Sequence, residues 1–467
     1  MKNSRVWIVV VALAFLCCCC LPALLFGGLM MFSSQPTTYE GESVEEPNVE
    51  ITAAATMEAF IAPPPPELPQ HILGRIGEVE TQVSTLRLLE VLDETQYVLV
   101  TPQQLQQRMI EQLDVAHPPQ VLAFEQHSLA LFGLLSPHAN LRTLYLQAYQ
   151  RPTFAYYDIN TGEMLLFQEG RFNGPQRLDY AREFVHALQD QHYDLADLGL
   201  GDEDCYQKSD SCAALYALVH GDASLVEQLW YFTYATPQDQ RQLREEGNEI
   251  LDMEDIPPFL AEEMVFPYRE GLNFVQTFYD QDGWTALERL YRTPPASTEQ
   301  ILHPERYPAD QPLPVSLPEG LDEVLGQGWQ EEGRNTLGEW YIYLMLAFAN
   351  DPAQRLGQLT AQQAADGWGG DQYVLLTQPE TQQRALVWVT RWDSETEAYD
   401  FWTAFKEYGL KRWKMPLYQS EHEFWWADTP DGSIRMRLDG DRVGLVIVPG
   451  ETAAADVINF LESEMIP

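Results

Sequence analysis

Residues 71 to 366 carry apolar side chains at helical spacing almost throughout. From Gly367 onward the pattern changes to short apolar or alternating runs cut by turns. That change of period restricts the chain to an α+β architecture with its helices ahead of its sheet. In "LVTPQQLQQRMIEQL", Thr101 is a helix N-cap, Pro102 the first helical residue, and Gln104 the partner of a capping box. The runs "VLAFEQHSLALFGLL" and "NLRTLYLQAYQ" continue the helical spacing. Within this region "TFAYYDINTGEMLLF" reads as a hairpin, with Asn160, Thr161 and Gly162 between two apolar, aromatic runs. Beyond Gly367, "YVLLTQ" and "ALVWVTRW" read as strands, and "SETEAYDFWTAFKEYGLK" as an amphipathic helix capped by Ser394. Then "EFWWAD", "SIRMRL" and "VGLVIV" are strands and "AAADVINFLESEM" a closing helix. The expected module is ββαβββα, an antiparallel sheet with helices on one face. "GWGGD" at 367–371 lacks a P-loop lysine and reads as a tight turn with Trp368 packed.

The first 35 residues differ. Lys2 and Arg5 precede the uncharged run Val6–Phe32, long enough to cross a bilayer as a helix. The expectation is a signal anchor, a single membrane pass with a cytoplasmic N-terminus and an extracytoplasmic body. Cys17, Cys18, Cys19 and Cys20 lie inside this run, where they read as apolar thiols. Residues 36–70, with "PPPP" at 63–66, read as an extended tether. The expected division is therefore an anchor over 1–35, a linker over 36–70, a helical domain over 71–366 and an α+β module over 367–467. Cys205 and Cys212 could form a disulfide outside the cytoplasm.

Seventy acidic residues against 28 basic ones leave a formal charge of −42. Such a surface excludes nucleic acid as a partner, because phosphate recognition needs a basic face. The acidic residues are scattered rather than run together, which fits a solvated acidic exterior.

The stretch carrying chemistry is "AREFVHALQDQHYDL", where Arg182, Glu183 and His186 stand in the spacing of H-E-x-x-H with the first histidine replaced. In that motif two histidines on one helical face ligate zinc and the glutamate activates the bound water. Together with "ALVHGDASLVE" at 217–227, and with "YYDINTG", "FPYREGLNFV", "PPASTEQILHPERY" and "GWGGDQYVL", it resembles a group of membrane-anchored, gluzincin-like zinc metallopeptidases. The resemblance covers most of residues 70–410 and implies a zincin-like helical domain with a peptide-sized groove. It also implies that Arg182 takes the first zinc-histidine position and His220 the position of the third-ligand glutamate. Arginine stays protonated and cannot ligate zinc.

Three readings stand side by side. In the first, the site has lost its metal: the protein is a pseudoenzyme that binds a peptide or protein partner at the cell surface, with Arg182 paired to Glu183 or Asp222. In the second, Glu183, His186 and His220 form a rebuilt two-histidine, one-carboxylate set for zinc or iron, as an active metallohydrolase. In the third, the resemblance reflects packing alone. Asp222 could orient an imidazole from outside the ligand set. His303 could line the groove as a hydrogen-bond donor to a transition state or merely shape a turn with Pro304, and Glu299 and Glu305 share that choice. His192 points away from His186 and reads as structural.

Overall fold

The computed structural model describes residues 68–148, 154–167, 172–200, 205, 209–246 and 256–464. The expected anchor over 6–32, its four cysteines and nearly all of the tether lie outside the described residues. Among the described residues no helix is long and apolar enough to cross a membrane. The expectation of a single-pass, membrane-anchored protein is corrected accordingly, since no described element supplies the span.

The chain begins with α1 (Gln70–Arg87), β1 (Gln96–Val100), α2 (Pro102–Ala116), α3 (Pro119–Phe132) and α4 (Leu141–Ala148). Thr101 and Gln104 form the expected capping box at the start of α2, side chain to backbone in both directions. β2 (Ala155–Asp158) and β3 (Glu163–Phe167) then pair antiparallel as the expected hairpin. β1, which lacks a hairpin signal, joins β3 in parallel and makes a three-stranded sheet of order β1–β3–β2.

Three long helices form the centre of the helical body. α5 (Gly174–Tyr193) starts at Asn173, whose side chain accepts from the Gln176 N–H in a second capping box. α6 (Ser209–Tyr234) lies against it, followed by α7 (Pro237–Glu246) and α8 (Pro258–Asp282). α6 and α8 meet backbone to backbone. A Cβ on Gly221 would fall 2.3 Å from the Gly271 carbonyl carbon, and one on Gly271 would fall 2.1 Å from the Ala217 oxygen. No side chain fits at either position, so the two glycines set how closely these helices approach. A disulfide joins Cys205 to Cys212 at the start of α6, with a Cα–Cα distance of 5.3 Å.

α9 (Trp284–Arg292), α10 (Thr298–Leu302) and α11 (Leu321–Leu325) lead to β4 (Gln330–Asn335), α12 (Gly338–Ala347) and α13 (Gln358–Ala365). The C-terminal region contains β5 (Trp368–Gln378), β6 (Gln383–Trp392), α14 (Glu395–Trp413), β7 (Tyr418–Gln419), β8 (Glu423–Thr429), β9 (Gly432–Asp439), β10 (Arg442–Val448) and α15 (Glu451–Glu464). The fold is α+β with an antiparallel seven-stranded sheet of order β4–β5–β6–β10–β9–β8–β7.

Three features of this sheet differ from the expected module, the first being the short edge strand β7, which pairs with β8. β4 comes from upstream of Gly367 and pairs with β5, because its polar sequence "QEEGRN" carries no strand signal. Helices also cover both faces rather than one. Val374, Leu376, Val387, Val389 and Val446 pack with Val457, Ile458 and Leu461 of α15. On the other face Tyr373, Leu375, Trp388 and Leu445 pack with Phe401, Phe405 and Tyr408 of α14. The solidly apolar runs of β5 and β6 are the reason, since a strand without a polar face must be covered twice. Phe132 of α3 meets Tyr373 and Trp388 edge-on, each at 5.3 Å between centroids. The sheet and the helical body therefore share one core, and residues 64–467 form one compact unit.

Candidate functional site

α5 and α6 bring Arg182, Glu183, His186, His220 and Glu227 together. Arg182 Nη2 lies 2.6 Å from Asp179 Oδ1, its Nε lies 3.3 Å from Glu183 Oε1, and its Nη1 lies 3.7 Å from Glu227 Oε1. Burial works against the guanidinium charge, but Glu183, Asp179 and Glu227 outweigh it and push the Arg182 pKa up. Burial pushes Glu227 up to about 7, with Arg182 opposing and Asp179 and Glu183 adding. Three carboxylates thus share one guanidinium.

The same carboxylates hold the hairpin. The Tyr157 N–H donates to Glu183 Oε2 at 3.1 Å. Asp179 Oδ2 accepts from the Phe154 and Ala155 N–H groups at 2.6 and 3.1 Å. The α5 carboxylates therefore occupy outward donors of the β2 edge, which would otherwise be open to an added strand. Glu183 has one oxygen on Arg182 and the other on the backbone. It is not poised as a free base.

His186 lies one helical turn further on, 5% exposed. Its Nδ1 is 2.8 Å from Gln189 Oε1. The Gln189 amide nitrogen donates to the Val219 carbonyl at 3.0 Å and to Asp222 Oδ2 at 3.1 Å. Those two bonds orient the amide, so its oxygen must accept from a protonated His186 Nδ1. His186 Nε2 then carries a lone pair, and it is buried without a partner. The His220 ring stands edge-on to it at 4.7 Å, with its own Nδ1 buried and unpartnered. Burial pushes the His220 pKa well below the usual histidine range, with His186 and Arg182 adding to the shift. Tyr216 stacks on His220 at 5.7 Å and Tyr268 of α8 lies 5.1 Å away, both partly exposed.

Asp222 does not face Arg182. It is fully buried and accepts from Arg87 Nε at 2.8 Å, from the Tyr291 hydroxyl at 2.9 Å and from Gln189. It acts on His186 only through Gln189. Arg87, Gln189 and Tyr291 are members of this network that sequence reasoning missed, because no motif links positions so far apart. His192 Nε2 lies 2.8 Å from the Glu90 carbonyl oxygen and has a structural place.

Glu183, His186 and His220 do not converge on one point as three ligands. Among the described residues, the sets whose ligand atoms lie within 4.8 Å of one another are His303, Glu339 and Asp366, and Glu299, Asp310 and Asp393. His303 belongs to this separate region. It caps the C-terminus of α10, with Nε2 2.9 Å from Glu339 Oε1. Glu299 is 1% exposed and pairs with Arg306. Glu305 is largely exposed, 3.8 Å from His303 Nδ1. The expected tight turn at "GWGGD" is confined to Gly367, with φ of +81°; the buried Trp368 and the residues to Asp371 open β5 instead, and Asp371 accepts from the Leu337 and Gly338 N–H groups at the start of α12.

A family model described as a domain of unknown function, DUF8575, matches residues 323–458. That span takes in all seven strands of the large sheet together with α12, α13 and α14. No curated protein and no solved structure matches the chain. The match carries no metallopeptidase or zincin description, and it lies C-terminal to α5 and α6. The expectation of a metallopeptidase-like, zincin-class family is corrected on that ground.

Proposed function

We propose that the helical body is a binding scaffold and not a hydrolase, with the Arg182 charge cluster standing where the sequence resemblance implies a metal. The single observation that carries this reading is the Arg182 guanidinium, bonded to Asp179 and Glu183 and facing Glu227. A fixed cation there repels a metal ion and supplies the positive charge that three clustered carboxylates need. Glu183 is further occupied by the Tyr157 N–H and cannot act as a general base without breaking that bond. The partner class is a peptide or protein, for which the exposed Tyr216 and Tyr268 beside His220 offer aromatic contact.

The test is a digest of mixed quenched-fluorescent peptides by the full chain with added zinc, alongside zinc content in wild type and His186→Ala. No cleavage, and equal zinc in both proteins, is the expected result. Cleavage abolished by a chelator, or a full equivalent of zinc lost with His186, would overturn it.

A second reading has its own support. The buried lone pair on His186 Nε2 and the unpartnered Nδ1 of His220 lie on rings 4.7 Å apart. Two such nitrogens would take zinc or iron as a pair, with Glu183 released from Arg182 as a third ligand. Loss of zinc in the His186→Ala comparison would favour it.

A further inference from the structure

His303, Glu339 and Asp366 come from three separate elements. His303 follows α10, Glu339 lies in the first turn of α12, and Asp366 ends α13. His303 Nε2 is 2.9 Å from Glu339 Oε1 and 3.7 Å from Asp366 Oδ1. Ligands about 2.0–2.1 Å from a tetrahedral zinc stand roughly 3.3 Å from one another, and these two separations bracket that value. Glu339 is 4% exposed, and its second oxygen, Oε2, is buried with no hydrogen-bond partner. A buried carboxylate oxygen left without a bond is costly to the fold. Such an atom inside a cluster of ligand groups points to an ion that completes it.

The charge around these residues points the same way. Glu299, Asp310 and Asp393 form the adjoining acidic set. The cation facing both sets is Arg306, which bonds Glu299 and Asp366. Glu305 faces His303 Nδ1 at 3.8 Å. Among the described residues, Arg306 and His303 stand against Glu299, Glu305, Asp310, Glu339, Asp366 and Asp393. A histidine that ligates through Nε2 commonly gives its Nδ1 proton to a carboxylate, and Glu305 is on that side.

We propose that His303, Glu339 and Asp366 bind a divalent transition-metal ion of the zinc class, which takes Asp366 Oδ1 in place of the half-exposed ion pair with Arg306, the guanidinium staying on Glu299. The site lies apart from Arg182 and stands whether or not the scaffold reading does. Metal replaces the proton shared by His303 and Glu339, so binding releases protons and weakens as pH falls.

The experiment is calorimetric titration of chelator-stripped full-length protein with zinc chloride. Glu339→Gln, His303→Ala, Asp366→Asn and the His186→Ala/His220→Ala double variant are titrated in parallel. The expected result is about one zinc per chain in the wild type and the double variant, with affinity at least tenfold weaker in Glu339→Gln and His303→Ala. Asp366 is half exposed, so Asp366→Asn should fold even if the buried changes do not, and it too should bind at least tenfold more weakly. No zinc binding by the wild type, or affinity unchanged in the folded variants of this set, overturns the proposal. Loss of the zinc only in the double variant overturns it as well and moves the metal to α5 and α6.

Discussion

His186 and His220 face each other edge-on at 4.7 Å, and each has a buried ring nitrogen without a partner. On His186 the bare nitrogen is Nε2, because Nδ1–H donates to Gln189 Oε1. Burial holds His220 neutral well below the usual histidine range. A folded pKa below the unfolded one favours the neutral native ring, so this group adds stability above pH 6.5 and withdraws it as pH falls. Nitrogen-15 NMR of the rings should find the Nδ1–H tautomer on His186 and a His220 resonance that does not move between about pH 8 and pH 6, across the ordinary histidine range. A normal titration of His220 would contradict this arrangement.

Removal of Arg182 leaves Asp179, Glu183 and Glu227 facing one another. Arg182→Ala should lower unfolding stability by about 2–3 kcal/mol in urea. If the helices carry a zincin-like geometry, Arg182→His with His220→Glu should gain zinc affinity relative to wild type. A folded double variant with no such gain counts against the resemblance.

Burial pushes the Glu227 carboxyl up to about 7, above the ordinary glutamate value of 4.5. The native state holds this proton more tightly than the unfolded chain. Its contribution is fully present below about pH 4.5 and is lost as pH rises through 7. Glu227→Gln should therefore flatten the pH dependence of stability across that window. At pH 8 it should be more stable than wild type by on the order of 1 kcal/mol, after screening at its partly exposed side chain.

Asp222 and Arg87 form a buried pair with 0% and 1% of their side chains exposed. Asp222→Asn strands the Arg87 charge and should cost about 3–5 kcal/mol. The amide also disturbs Gln189, so the His186 tautomer signal should broaden or shift in the same variant.

Gly221→Ala drives a methyl group into the Gly271 backbone. Helix propensity alone would favour alanine by about 1 kcal/mol. The clash should win, with a loss of about 3 kcal/mol measured by thermal unfolding. A stabilised Gly221→Ala protein would mean that α6 and α8 do not approach as described.

Local patterns were readable because their causes are local. The capping box at Thr101, the Asn160–Gly162 turn and the Ser394 cap each depend on residues within four positions of one another. The solidly apolar runs of β5 and β6 likewise marked strands. β4 is polar and carried no such signal, being made a strand by its pairing with β5, while β1 carries the apolar run "YVLV" but nothing local that names β3 as its partner. Arg182 stood out in the sequence as the arginine heading an H-E-x-x-H-like spacing, and its inability to ligate a metal followed from the guanidinium itself. Its true partners did not follow, nor did the separation of His303 from His186. Those depend on the approach of α5, α6 and α8, which is set by backbone contact at Gly221 and Gly271 and by the Asp222 network. The sequence by itself determined most of the order of helices and strands, the acidic charge and a permanent cation at position 182. Only the tertiary structure decided which carboxylates surround Arg182 and which ones gather around His303, because convergence is a property of packed helices and not of spacing along any one of them.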